Sequence, residues 1–98
     1  MIKISIKKEN DKIKKINITG HALYDSYGKD IVCSSVSSIV ITTVNAILRI
    51  DSDAIKYDEN VFSIDILKDD QIVDILIDNM LSLLKELEHD YPKNVKFI

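Results

Sequence analysis

The chain is poor in the residues that staple, break or interrupt a fold: it has one cysteine, one proline and two glycines in 98 residues. A single cysteine excludes an intrachain disulfide framework and a cysteine-rich zinc site. No stretch is rich in proline, glycine or serine, so no linker or low-complexity segment divides the chain, and no internal repeat is visible. A basic cluster large enough for a nucleic-acid footprint is also missing. The net charge is −3 with a pI near 5.2, and the only local grouping is Lys12, Lys14 and Lys15. The expectation is therefore no direct nucleic-acid partner. The opening "MIKISIKKEN" mixes charges with isoleucines and has no continuous apolar core, which is not the pattern of a signal peptide. Cytoplasmic location is the default expectation.

What is present describes one small globular domain over residues 1–98. Apolar residues make up 46% and charged residues 30% of it, a soluble composition with a modest core. One run tests that reading. "IVCSSVSSIVITTVNAIL", residues 31–48, carries no charge over eighteen residues, close to membrane-spanning length. Seven of the eighteen are Ser, Thr or Asn, however, which is too polar for a helix facing lipid. A helix buried on most sides, by its own sheet or by a second subunit, fits better, and no membrane partner is expected.

Periodicity supplies the order of elements. Ile2, Ile4 and Ile6 alternate with Lys3, Ser5 and Lys7, and Ile16 and Ile18 resume the alternation after the polar "KENDK", so residues 1–19 read as a β-hairpin. Asp30 is positioned to cap a helix on which Val36, Ile39/Val40, Val44, Ile47 and Ile50 recur, with Ser34, Ser38, Thr42, Asn45 and Arg49 opposite. Strands return at Ala54–Tyr57 and Val61–Leu67 around the turn "DEN". Asp69 or Asp70 then caps an amphipathic helix that Pro92 stops, and "NVKFI" can add a last strand. The order ββαββα(β) predicts an α+β, two-layer domain: an antiparallel sheet with two helices.

Chemistry concentrates in "GHALYDSYGKDIVCSSVS", residues 20–37, which holds both glycines, one of two histidines and the only cysteine. The eleven residues between strand and helix exceed the usual connection length, and long loops often carry function. Cys33 falls in the first turn of the predicted helix. There, unpaired amides and the helix dipole favour thiolate over thiol. If the loop folds back, His21 and Cys33 form a thiolate–imidazolium pair, the minimal apparatus of a cysteine protease, and helix-start amides receive the oxyanion. Plainer readings stand beside this one. Cys33 is also a small core residue at the start of an apolar helix, and a loop histidine is ordinarily solvated. A metal site at His21, Asp25, Asp30 and Cys33 lacks any short ligand-pair spacing, so neither metal nor cofactor is expected.

"GHA", five further residues and then "G-x-D-I-V-C-x-x-V-S" resemble the signature of the ribosomal-processing cysteine protease family, Prp, and "VNAI" at residues 44–47 is similar to its following helix. The motif spans about a quarter of the chain, and length and element order agree over the rest. "CSS" at 33–35 departs from it, where many members carry alanine or glycine after the cysteine. The resemblance implies an endopeptidase that removes an N-terminal extension from protein twenty-seven of the large ribosomal subunit. It implies Cys33 as nucleophile and His21 as general base, with Gly20, Asp30 and Ser37 at the other characteristic positions. Asp30 either orients the imidazole or caps the helix. Ser37 either faces the cleft or bonds back to its own helix. The family also implies a homodimer, for which the uncharged Ser/Thr face of the first helix offers a surface.

Tyr24, Tyr27 and Gly28 belong to the loop and form a lid over a peptide or have no role. His89, near the end of the second helix, reads as structural or solvated. Asp65, Asp69, Asp70 and Asp74 read as a solvated helix start. Two rival functions share the cleft: a non-catalytic module that docks on a ribosomal protein, and a thiol-based redox sensor.

Overall fold

A computed structural model describes residues 1–20 and 30–98. The hairpin is β1 (Ile2–Glu9) and β2 (Lys12–Thr19), turned by Asn10 and Asp11 alone. Both turn residues have positive φ, 52° and 63°, the geometry whose twist matches the flanking strands and which Asn and Asp tolerate. A bulge between Lys7 and Lys8 shifts the register from Lys7↔Lys15 to Lys8↔Ile13. Helix α1 (Ile31–Ile50) follows, then β3 (Ile55–Asp58), β4 (Ser63–Ile66), α2 (Gln71–Asp90) and β5 (Val95–Phe97).

The strands form one sheet in the order β3-β4-β2-β1-β5. The hairpin pairs and β2–β4 are antiparallel, as the alternation predicts, but β5 lies parallel to β1. The α+β layering thus holds, with a mixed sheet instead of a purely antiparallel one. The reason is the crossover: a helix between two strands brings the chain back in the same direction. α2 returns the chain parallel to β4, and hence to β1.

Ile2, Ile4, Ile16, Ile18, Ile55, Ile64 and Val95 from the sheet meet a valine stripe on α1 and Val73, Ile77, Met80, Leu81 and Leu84 on α2. α1 is long and apolar enough to cross a membrane by length and composition. Here its buried residues, Val32, Val36, Val40, Thr43, Val44 and Ile47, are spaced as a core-facing stripe. Each helix starts on an aspartate. Asp70, not Asp69, caps α2 by accepting from the amides of Ile72 and Val73 at 2.8 and 3.3 Å. The acidic run is engaged more than a solvated helix start would be, since Lys15 lies 3.6 Å from Asp65 and Lys12 bonds Asp69. His89 is exposed in the last turn of α2.

At the far end of α1, Asp51 accepts from Lys68 at 2.9 Å and from the Asp53 amide at 2.9 Å. The Lys68 bond first, then the amide, hold its carboxyl below the usual carboxylate range. A depressed acid stabilises the fold above its unfolded-state pKa, and that contribution is lost as pH falls through the folded value. Urea midpoints measured from pH 6 down to pH 2 should therefore fall less steeply in Asp51→Asn than in the wild type.

Candidate active site

Asp30 sets where α1 begins. It is 9% exposed, and its Oδ1 accepts from the amides of Val32 at 2.9 Å and Cys33 at 3.0 Å. Its carbonyl accepts the Ser34 amide at 3.1 Å. Asp30 is therefore an N-cap, with extended backbone and a carboxylate on the first-turn amides. This placement also corrects one expectation. The amides of Val32 and Cys33 are occupied by a carboxylate, so they do not stand ready for an oxyanion.

Cys33 is partly buried against the core. Residues four apart share a helix face, so Cys33 heads a stripe continued by Ser37, Ile41, Val44/Asn45 and Leu48. From Ser37 to Leu48 that stripe is one wall of a cleft of about 780 Å³. Ile18 and Gly20 at the end of β2 form its base, and Tyr57 with residues 59–62 forms the facing wall. Ser37 thus lines the cleft, and its hydroxyl makes no bond back to the helix; Ser35 and Thr43 make such bonds instead, to Ile31 and Ile39.

The facing wall was not legible as part of a site. "DEN" reads as an ordinary turn, and Phe62 as part of the strand Val61–Leu67. The structure starts β4 only at Ser63 and puts Phe62 at φ 51°. A bulky residue in that region is an outlier that its surroundings must hold in place. Here the Phe62 carbonyl accepts the Ile18 amide at 3.1 Å, and its ring lies 6.1 Å from that of Tyr57, tilted by 54°. The signal available in sequence was the aromatic pair flanking the turn, Tyr57 and Phe62.

Gly20 is the last described residue before position 30. Its φ is +87°, and a Cβ built on it would lie 2.2 Å from the Met1 carbonyl oxygen. Conformation and space thus both require glycine. His21, Tyr24, Tyr27 and Gly28, with Asp25, lie outside the described residues. Among the described residues, no group of three or more His, Cys, Asp or Glu side chains could hold a metal ion.

A capped helix carrying a cysteine one turn before the wall of a cleft lined by both polar and apolar side chains, on a helix-backed mixed sheet, is a scaffold suited to thiol chemistry. The comparisons with known proteins agree. The family model described as Cysteine protease Prp matches residues 1–96. The chain is 31% identical over 95 residues to the ribosomal processing cysteine protease Prp of Staphylococcus aureus, covering 90% of this chain and 88% of that protein. It is 30% identical over 107 residues to the Bacillus subtilis protein of the same name, covering 98% and 95%. Among solved structures, the S. aureus protease Prp with a covalently linked product peptide superposes with a TM-score of 0.88 at 30% identity, covering 99% of this chain and 97% of that one. The same protease with a substrate peptide gives 0.83 at 28% identity, covering 100% and 98%. The protein is thus a cysteine protease. It belongs to the Prp family.

Three substitutions at two positions check the geometry. Gly20→Ala should lower the unfolding free energy by more than ~1 kcal/mol, because the left-handed penalty for a residue with Cβ is joined by a backbone clash. Asp30→Ala should cost about 1–2 kcal/mol and Asp30→Asn most of that less, since asparagine also caps. Urea denaturation of the three variants reads both effects.

Proposed function

We propose that the protein is an endopeptidase that removes the N-terminal extension of a large-subunit ribosomal protein, protein twenty-seven, during ribosome assembly, using a Cys33–His21 dyad. The observation that carries this reading is the single stripe running from Cys33 into the cleft that Gly20 also lines. Gly20 immediately precedes His21 in the sequence, which supports a histidine that reaches the cleft from that end. The relatives that bind substrate and product peptides support a peptide as the occupant.

His21 takes the Cys33 proton, and the thiolate attacks the scissile carbonyl to form a tetrahedral adduct. The adduct expels the amine, which takes the proton from His21, and leaves an acyl-enzyme. Water activated by His21 then attacks the thioester and releases the acid and the free thiol. With the Val32 and Cys33 amides held by Asp30, the oxyanion requires donors other than those two. The cap role of Asp30 accounts for its burial, and in this reading any orienting of His21 is additional to it. Ser37 contacts the peptide one helical turn beyond the reacting carbonyl.

The enzyme works in the cytoplasm, where its ribosomal substrate is made, and as a homodimer. Ile31 is 53% exposed on α1 beside Ser34, Ser38 and Thr42, an uncharged helix face suited to an isologous contact.

Incubation with the same organism's ribosomal precursor, read by mass spectrometry, tests the reading. The wild type should release one N-terminal peptide. Cys33→Ala and His21→Ala should each reduce the rate at least ~10³-fold, the scale of losing one member of a nucleophile–base pair. Cleavage by Cys33→Ala at the wild-type rate would sink the proposal.

A further inference from the structure

The strand pairings that bury the isoleucines gather lysines on the opposite, helix-free face of the sheet. One row across the strands reads Lys56, Asp65, Lys15, Lys7. A second pairs Lys3 with Lys96. Between them runs a row of small polar residues, with Ser5 and Asn17 directly paired at its centre. The two rows thus carry five lysines against one carboxylate, Asp65, with Asp58 in the row between them and Glu9 paired with Lys12 at the hairpin end, in a chain whose net charge is −3.

Two features make this more than a solvated face. Lys7 stands directly opposite Lys15, and Lys3 opposite Lys96; like charges in that arrangement destabilise a sheet. Asp65 offsets only Lys15, at 3.6 Å. Lys3, Lys7, Lys56 and Lys96 have no carboxylate within ion-pair reach. An external polyanion would relieve the repulsion built into the face.

We propose that this sheet face docks the phosphate backbone of double-helical RNA. The two lysine rows are four residues apart along β1, about 13 Å at strand rise, so they reach two separate phosphate runs instead of one. The paired positions of these rows hold no aromatic side chain. A single strand with unstacked bases therefore has no stacking platform here, whereas a duplex offers only its backbone. Nor do they hold an apolar side chain, which a membrane surface would need. Ser5 and Asn17 are half-buried, and their side chains make no hydrogen bond with the protein. They lie where the wide, shallow groove of an A-form helix presents its 2′-hydroxyls, the groups that tell RNA from DNA. Binding is weak, sequence-independent and steeply salt-dependent. It holds the protease on an RNA-containing particle, by a surface separate from the cleft.

Fluorescence anisotropy with a labelled RNA duplex of ~20 base pairs tests this. With three to four phosphate contacts, log affinity should fall against log salt with a slope near −3. Lys3→Gln/Lys7→Gln should weaken binding about tenfold and cut the slope by roughly 2. Lys85→Gln, which removes a lysine lying over Phe97 instead of one in these rows, should change neither. Circular dichroism confirms that the variants fold. Cleavage of a free peptide by Lys3→Gln/Lys7→Gln should match the wild type, so failure here and failure of the protease reading are separate results. No binding, binding indifferent to the double substitution, or equal affinity for a DNA duplex or poly-glutamate would each overturn the proposal.

Discussion

The rest of the structure depends on the two-residue alternation of isoleucine with lysine, serine or asparagine in β1 and β2. Because successive strand residues point to opposite faces, Ile2, Ile4, Ile16 and Ile18 form a continuous apolar plate. Water is removed from that plate only by laying α1 and α2 across it. At ~25 cal/mol per Å² of apolar surface, covering it is the main stabilising term available to so short a chain. A slip of one residue would export the isoleucines and bury Lys3, Lys7 and Lys15. Register is therefore fixed, and everything that hangs on register is fixed with it.

The placement of the nucleophile is one such consequence. α1 must turn Val32, Val36, Val40 and Val44 to the plate, and a helix offers only one rotation that does so. That rotation leaves Cys33, Ser37, Ile41 and Leu48 along the edge of the buried stripe, facing the β3–β4 turn. Asp30 fixes the axial position by ending the helix on its own carboxylate. The cysteine is thus held by core packing in rotation and by a cap in translation, both remote from the bond to be cut. The same cap puts a negative group against the amides that many thiol enzymes would use for an oxyanion. Positioning and charge stabilisation are divided between different parts of the chain.

Much of this was legible in the sequence, and the gaps have physical causes. The hairpin, both helices and the Asp30 cap follow from local rules: period two, period 3.6 and a side chain that bonds the next turn. The parallel pairing of β5 does not, because "NVKFI" carries no mark of direction; only the crossover through α2 decides it. The far wall of the cleft was hidden for the same kind of reason. Phe62 belongs there because Ile18, forty-four residues earlier, donates its amide to the Phe62 carbonyl, a contact no local pattern encodes. In sequence, the two glycines bracket a segment that joins His21 to Cys33, yet the glycine requirement at position 20 is set by the Met1 carbonyl.

The lysines show how charge read along a chain differs from charge read on a surface. In sequence, Lys3, Lys7, Lys15, Lys56 and Lys96 are scattered, and the net charge is negative, which argues against a polyanion partner. Strand pairing brings them onto one face within two rows, while acidic residues such as Asp74, Asp78 and Glu86 are exposed on α2 in the other layer. The molecule is therefore dipolar across its two layers despite its modest net charge. Within about a Debye length, ~8–10 Å at physiological salt, a partner senses the face and not the sum. Burial produces both faces at once: each isoleucine directed to the helices places its strand neighbour, often a lysine, on the open side. The alternation that seats the nucleophile thus also charges the surface farthest from it.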